Sequence, residues 1–166
     1  MFTFETNIIK EAKSSCLLQD NENIVICTLN LEEKSEIDDF IEVNISEIDS
    51  ENRFVNLQNI MKEGIKSLFT NNLLKTKLKF TLFIFEGLNS FEYIANSISI
   101  CLLQSGLEMD DWLIGINAFN SSIIYKVISN EIVYFESENF NLNYDDFLPQ
   151  VNCKKEIIKN NLMNTL

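Results

Sequence analysis

The sequence contains no histidine, and this absence excludes the serine–histidine and cysteine–histidine pairs that drive most nucleophilic catalysis. The phosphate-binding loops G-x-x-x-x-G-K-[ST] and G-x-G-x-x-G are missing as well. Basic residues are few: 13 stand against 25 acidic residues, which gives a net charge of −12. This charge opposes broad binding to a phosphate backbone, although it permits a few basic contacts at one spot. An acidic chain also suits a basic partner, although solubility is the simpler explanation of the charge.

Flexible linkers are scarce, because the 166 residues include one proline, Pro149, and only four glycines. A chain of this length buries enough apolar surface to fold as one unit. We therefore expect a single domain over residues 1–166. The N-terminus lacks a basic segment followed by an apolar run, and no stretch approaches about 18 apolar residues. These features predict a soluble, intracellular protein without a membrane partner.

The four cysteines show no C-x-x-C spacing, and no histidine is present to complete a zinc site. Cys16, Cys27 and Cys101 lie in apolar runs, so they are interpreted as small buried core residues. Three acidic doublets offer oxygen ligands for Mg²⁺, but neighbouring residues on a strand point to opposite faces. We interpret them as solvated loop acids: Asp38–Asp39, Asp110–Asp111 and Asp145–Asp146. No cofactor and no metal site is predicted.

Hydrophobic periodicity predicts an α+β chain with mixed sheets. The predicted strands cover residues 14–20, 23–30, 40–48, 77–86, 112–119, 122–128 and 131–137. A helix beginning near Glu51 carries an apolar stripe, and a second helix over 90–106 is small and apolar nearly all round, which is typical of a buried central helix. Asn89 and Glu92 have capping-box spacing at its start. A final helix is predicted near the C-terminus, over 154–164.

The strand over 77–86 has two different faces. Alternation places Lys75, Lys77 and Lys79 on one side, followed on that side by Phe83 and Phe85. The aromatic far end predicts a strand that is covered on both faces there. The lysines have two interpretations: a small contact site for phosphate, or a solvated strand edge protected against aggregation.

Two stretches resemble the RNase PH family, specifically its eukaryotic exosome ring subunits. Residues 7–30 are similar to the family's opening pair of strands, with Ser14–Ser15 where the family has Gly-Ser. Residues 73–119 are similar to its long strand, acidic–Gly–Ser turn, central asparagine-containing helix and following strand. The residues in register are Ser90, Asn96, Ser105–Gly106–Leu107, Met109, Asp111 and Leu113. With the intervening helix, the resemblance covers residues 7–137.

The departures from the family pattern concern its charged groups. Active members hold phosphate with an arginine that corresponds to Phe91, and the aspartate of their late strand falls on Phe135. The Pro-Arg before the long strand corresponds to Leu74–Lys75. Phosphorolysis needs preorganised positive charge on phosphate and on the cleaved linkage, which phenylalanine does not supply. The resemblance therefore implies an RNase PH-like domain without catalytic residues, shortened at its C-terminus.

The resemblance implies a non-catalytic subunit of a hexameric exosome ring that supports 3′-to-5′ RNA processing and degradation in the nucleus, nucleolus and cytoplasm. Its expected partners are other RNase PH-like ring subunits, cap subunits, an associated nuclease and RNA in the channel, with Lys75, Lys77 and Lys79 as candidate RNA contacts. Two alternatives stay open. One is an active phosphorolytic 3′-exoribonuclease whose site is completed by a partner, and the other is an unrelated α+β protein-interaction module.

Overall fold

The structure is a computed structural model that describes residues 2–33, 39–47, 55–69, 76–86, 90–137 and 144–163. Its strands are β1 (Thr3–Thr6), β2 (Ser14–Gln19), β3 (Ile24–Glu33), β4 (Ile41–Glu47), β5 (Thr76–Glu86), β6 (Leu113–Ala118), β7 (Ser121–Lys126) and β8 (Glu131–Ser137). Its helices are α1 (Val55–Lys66), α2 (Ser90–Ser105) and α3 (Leu148–Met163), with a 3-10 turn at Tyr144–Asp146.

The described strands form two sheets. The larger has the order β1-β2-β3-β5-β4, in which β4 pairs with β5 in parallel and the other neighbours are antiparallel. The smaller is the antiparallel meander β6-β7-β8. Helix α2 contacts β2 and β3 of the first sheet and β6 of the second, so it lies between them. The core therefore has its centre on α2.

The composition of α2 explains its central position. Its side chains from Glu92 to Leu102 are all buried, which requires small or apolar residues on every face. The helix also approaches β6 very closely: a Cβ placed on Gly115 would lie 2.6 Å from the Cβ of Ala95. Only glycine fits there. Helix α2 ends at Ser105, and the next residue, Gly106, has a φ of 71°, the left-handed conformation expected after a helix C-terminus.

Side chains of α2 take the place of a neighbouring strand along the free edge of β6. Alternate N–H groups of β6 donate hydrogen bonds to acceptors spaced along the helix: Leu113 to Ser99 at 3.1 Å, Gly115 to Asn96 at 3.0 Å and Asn117 to Glu92 at 2.9 Å. Buried backbone donors need such partners. The helix thus closes one edge of the smaller sheet, and β8 forms the other.

Most predicted elements are confirmed, with differences at their ends. Strand β1 was not predicted, β3 extends to Glu33, and α3 begins at Leu148, before the predicted start. Phe119 was predicted at the end of a strand but forms the β6–β7 turn with Asn120. The predicted start of α1 and the capping residue Asn89 lie outside the described residues.

The expected burial of Cys16, Cys27 and Cys101 is confirmed, and burial raises the pKa of Cys16 and Cys27. The apolar stripe of α1 is buried at Met61 and Ile65. In the part of the chain that the structure describes, no helix is both long and apolar enough to span a bilayer.

One prediction about β5 is wrong. Phe83 and Phe85 were expected to be covered, but their exposed fractions are 43% and 46%. In the register of the sheet, Phe83 is opposite Ile26, which is in turn opposite Leu17. These side chains form a partly exposed apolar row across three strands. Lys77 and Lys79, two residues apart, lie at the other end of the same face.

Candidate functional site

The site predicted to correspond to phosphate binding lies where the first turn of α2 faces β8. The ring of Phe91 on α2 packs against the ring of Tyr134 on β8, with centroids 5.5 Å apart and an interplanar angle of 35°. Both side chains are half-buried. Offset aromatic pairs of this kind attract each other. An aromatic pair therefore occupies the position where the resemblance places a guanidinium group.

Tyr134 extends this site toward solvent. Its hydroxyl donates a hydrogen bond to Glu136 Oε2 at 2.6 Å, and Glu136 is exposed. Burial and the neighbouring carboxylate raise the pKa of Tyr134 to about 12. The phenol stays protonated at neutral pH, so Tyr134 brings no charge of its own and its hydroxyl contacts an acidic side chain. This is an unfavourable environment for a phosphate dianion.

The only carboxylate in the first turn of α2, Glu92, is committed to structural contacts. One of its oxygens accepts the N–H of Asn117, and the other contacts the ammonium group of Lys154 on α3. The ammonium group lies 5.4 Å from the ring centroid of Phe2. Phe2, Glu92 and Lys154 line a cavity of about 180 Å³ between α2 and α3. Glu92 therefore compensates the charge of Lys154.

The other predicted position, Phe135, is not brought to Phe91. Its ring packs edge-on against Phe147, with centroids 6.0 Å apart. Neighbouring residues of a strand point to opposite faces, so Tyr134 faces α2 and Phe135 does not. The assignment of a lost acidic position to Phe135 stays a prediction. Sequence reasoning missed the role of Tyr134, and strand alternation was the signal that could have revealed it.

The candidate RNA-binding lysines form ion pairs across the larger sheet. Lys77 contacts Glu42 on β4, while the ammonium group of Lys79 lies 3.1 Å from Glu32 on β3 and 4.0 Å from Glu42. A hydrogen bond from Lys77, together with one from Asn44, lowers the pKa of Glu42. Lys75 lies outside the described residues. The positive charge of the two described lysines is thus largely balanced within the sheet, and their contact with RNA stays a prediction.

The acidic doublets do not form a metal centre in the described part of the chain. Asp111 is buried and accepts the N–H groups of Ile128 and Ser129, each at 2.8 Å, so it fixes the β7–β8 turn. Burial raises its pKa, but these hydrogen bonds produce a net lowering. Asp145 and Asp146 are exposed in the 3-10 turn, and Asp38 is outside the described residues. Nowhere in the described ranges do three or more cysteine or acidic side chains converge to hold a metal ion.

Comparison with known proteins assigns the fold. No protein-family model and no curated protein sequence matches the chain. Among solved structures, the fold is that of RNase PH-like exosome core proteins, which confirms the predicted α+β class. Rice Rrp46 superposes with a TM-score of 0.80 at 10% identity, over 99% of this chain and 93% of that one. An archaeal exosome core structure superposes with a TM-score of 0.65 at 13% identity, over 96% of this chain and 85% of that one.

Proposed function

We propose that the protein is a non-catalytic, structural subunit of an exosome ring that supports 3′-to-5′ RNA processing and degradation. Its fold matches exosome core structures over nearly the whole chain. The proposal that the subunit is non-catalytic rests on the contact between Phe91 and Tyr134, whose aromatic rings pack together at the N-terminal end of α2. The proposed role is architectural: the subunit occupies a place in the ring and helps to line its channel.

The physical argument against phosphorolysis concerns charge. Transfer of a phosphoryl linkage to phosphate requires preorganised cations, because both reactants are anions and negative charge develops between them. At the N-terminal end of α2, Phe91 and Tyr134 carry no charge, and the Tyr134 hydroxyl contacts the acidic side chain of Glu136. Lys154, which contacts the first turn of α2, is paired with Glu92. Binding of phosphate would therefore cost desolvation without compensation.

A ring subunit also needs surfaces that its neighbours cover, and the outer face of the larger sheet has the required character. It carries the apolar row of Leu17, Ile26 and Phe83, with Phe85 beside it. Exposed apolar patches of this kind mark interaction surfaces. The net charge of −12 disfavours contact between identical copies and favours neighbours with basic surfaces.

Further partners follow from this role. We propose that the ring assembled from RNase PH-like subunits binds cap subunits and a separate nuclease that performs the hydrolysis, in the nucleus, nucleolus and cytoplasm. RNA would pass through the channel. Lys75, Lys77 and Lys79 are the proposed contacts, and release of Lys79 from its glutamate partners would be needed for a strong contact.

Assembly provides the test. The full chain is co-expressed with candidate ring subunits from the same organism. Complexes are isolated, and their molar mass is measured by light scattering. We expect a stoichiometric ring, and we expect Phe83→Glu to weaken it, because a charge would be buried in the interface. The control is Ile128→Glu, at a more exposed apolar residue in the β7–β8 turn. A chain that stays monomeric with every ring subunit would refute the proposed role.

A further inference from the structure

An exposed aromatic cluster lies at one end of the smaller sheet, away from the apolar row on the larger one. The buried ring of Phe147 is flanked by Phe119, with centroids 5.9 Å apart, and by Phe135, at 6.0 Å. Phe147 itself is inaccessible, whereas the exposed fractions of Phe119 and Phe135 are 55% and 46%. We call these three residues the aromatic cluster. Two of its rings, those of Phe119 and Phe135, are exposed to solvent, and both pack on the buried ring of Phe147.

The conformation of Phe119 makes this exposure unusual. Phe119 and Asn120 are the two residues of the β6–β7 turn, with φ values of 55° and 57°. Two-residue hairpin turns of this kind favour asparagine and glycine, and a bulky side chain is disfavoured in the left-handed region. The fold of the hairpin alone would be served better by asparagine at position 119. The edge-on contact with Phe147 uses part of the Phe119 ring, but 55% of the residue stays exposed, which leaves surface for a contact with another molecule.

The charge around the cluster selects the kind of partner. Asp145 and Asp146, which directly precede Phe147, are both exposed. No lysine or arginine occurs in the three segments that form this surface, residues 117–122, 134–137 and 144–149. A cavity of about 290 Å³ beside Phe119 is lined by amide and hydroxyl side chains of the same hairpin. The surface thus combines exposed aromatic rings, hydrogen-bonding groups and negative charge.

We propose that the aromatic cluster is a docking site for a segment of another protein that carries an apolar side chain flanked by lysine or arginine. The apolar side chain packs on Phe119 and Phe135, and the basic residues face Asp145 and Asp146. Aromatic rings that become fully desolvated provide much of the energy of such interfaces. This proposal does not rest on the ring role, since it is argued from the exposed rings and the charge of this surface alone.

The same observations disfavour two other occupants. RNA would bring phosphates against the two aspartates, and the lysines that neutralise phosphate are absent from these segments. A second copy of the chain in a twofold contact would bring identical acidic surfaces together, which is repulsive. A basic, apolar protein segment is the occupant that satisfies both the rings and the charge.

The test uses fluorescein-labelled synthetic peptides and the full chain, with binding followed by fluorescence anisotropy. One peptide has a leucine–phenylalanine centre flanked by lysine and arginine, a second has glutamate flanks, and a third has a serine centre with basic flanks. We expect saturable binding of the first peptide only, weakened by salt. We expect Phe119→Asn to reduce its affinity by about tenfold or more. Asp145→Asn with Asp146→Asn should reduce both the affinity and its salt dependence.

Phe119→Asn separates a binding role from a structural one. Asparagine suits the turn, which offsets the lost contact with Phe147, so this variant should keep a thermal stability close to that of the parent while it loses binding. Ile128→Ser, at the opposite end of the β7–β8 hairpin, is the control and should bind normally. The proposal fails if no peptide binds, if the three peptides bind equally, or if Phe119→Asn binds as well as the parent. It also fails if Phe119→Asn abolishes binding of an oligouridylate or a self-association of the chain instead, since either result would assign the cluster to RNA or to a second copy.

Discussion

The side-chain amide of Asn96 forms two hydrogen bonds with the backbone of Gly115, donating to its C=O and accepting from its N–H, each at 3.0 Å. This geometry reproduces the pairing that a neighbouring strand would give β6. Asn96 is fully buried, so neither group of Gly115 has water as an alternative partner. The relationship ties the middle of the central helix to β6 of the smaller sheet.

We predict that Asn96→Ala destabilises the protein strongly. The change leaves a buried N–H and a buried C=O without partners, at a cost of about 1–3 kcal/mol for each group. The measurement is the free energy of unfolding in urea. Asn152→Ala, at an exposed position of α3, is the matched control and should change stability by no more than about 0.5 kcal/mol. Equal effects of the two variants would mean that the Asn96–Gly115 pairing does not hold the sheet.

The packing of Phe91 on Tyr134 predicts a measurable coupling between the two rings. In a double-mutant cycle with Phe91→Ala and Tyr134→Ala, we expect a coupling free energy of about 0.5–1.5 kcal/mol, the range found for aromatic pairs. Urea unfolding of the four proteins supplies the values. A coupling indistinguishable from zero would show that the rings do not fill this position together, and the argument against phosphate binding there would lose its basis.

The two interpretations of the lysines make different predictions about RNA. If Lys79 contacts RNA in the ring, Lys79→Gln should lower affinity uniformly across sequences and reduce the slope of log affinity against log salt by about one. Lys126→Gln is the control, because Lys126 is paired with Glu131 at 3.0 Å in a comparable way on the smaller sheet. An unchanged slope, measured by filter binding to the assembled ring, would leave Lys79 with its role in the sheet alone.

Stability should fall in acid because of Asp20. Its carboxylate accepts N–H groups of Glu22 and Asn23 at 2.9 and 2.8 Å and the hydroxyl of Tyr93. Burial raises the pKa of Asp20, but these hydrogen bonds dominate and lower it from 3.8 to about 2. A depressed folded-state pKa stabilises the protein above the unfolded value, and this contribution is lost as the pH falls from about 4 to about 2.

Asp20→Asn isolates this contribution. The variant should be less stable than the parent at neutral pH, and the difference should shrink between about pH 4 and about pH 2. Thermal unfolding across this range measures it, with the exposed neighbour Glu22→Gln as the control. A stability difference that stays constant over that pH range would contradict the assigned hydrogen bonds.

Local patterns were enough to predict the elements of the core. The alternation along β5 and the apolar composition of α2 are strong periodic signals, and both elements lie where they were expected. Strand β1 was not predicted, because four residues with mixed polarity give no clear hydrophobic periodicity. The start of α3 was placed too late, although Pro149 is compatible with the first turn of a helix.

The site was less accessible to sequence reasoning because its contacts are long-range. Glu92 and Lys154 are separated by 62 residues, and no local pattern indicates that they meet. Glu92 was expected to serve a capping box, yet its oxygens contact β6 and α3. Likewise, Phe135 was selected by register with a family pattern, while the three-dimensional neighbour of Phe91 is Tyr134. Neighbouring residues of a strand lie on opposite faces, so alignment to a family pattern alone does not tell which side chain meets Phe91.

The most direct test of a structural, non-catalytic subunit is a phosphorolysis assay on purified protein, alone and in complex with its ring partner. Labelled single-stranded RNA is incubated with Mg²⁺, with and without inorganic phosphate, and nucleoside diphosphates are measured. We predict that the chain alone releases no nucleoside diphosphates. We also predict that any release by the complex does not depend on residues of this chain. Phosphate-dependent release that is lost on substitution of Glu136 or Lys154 would contradict the account.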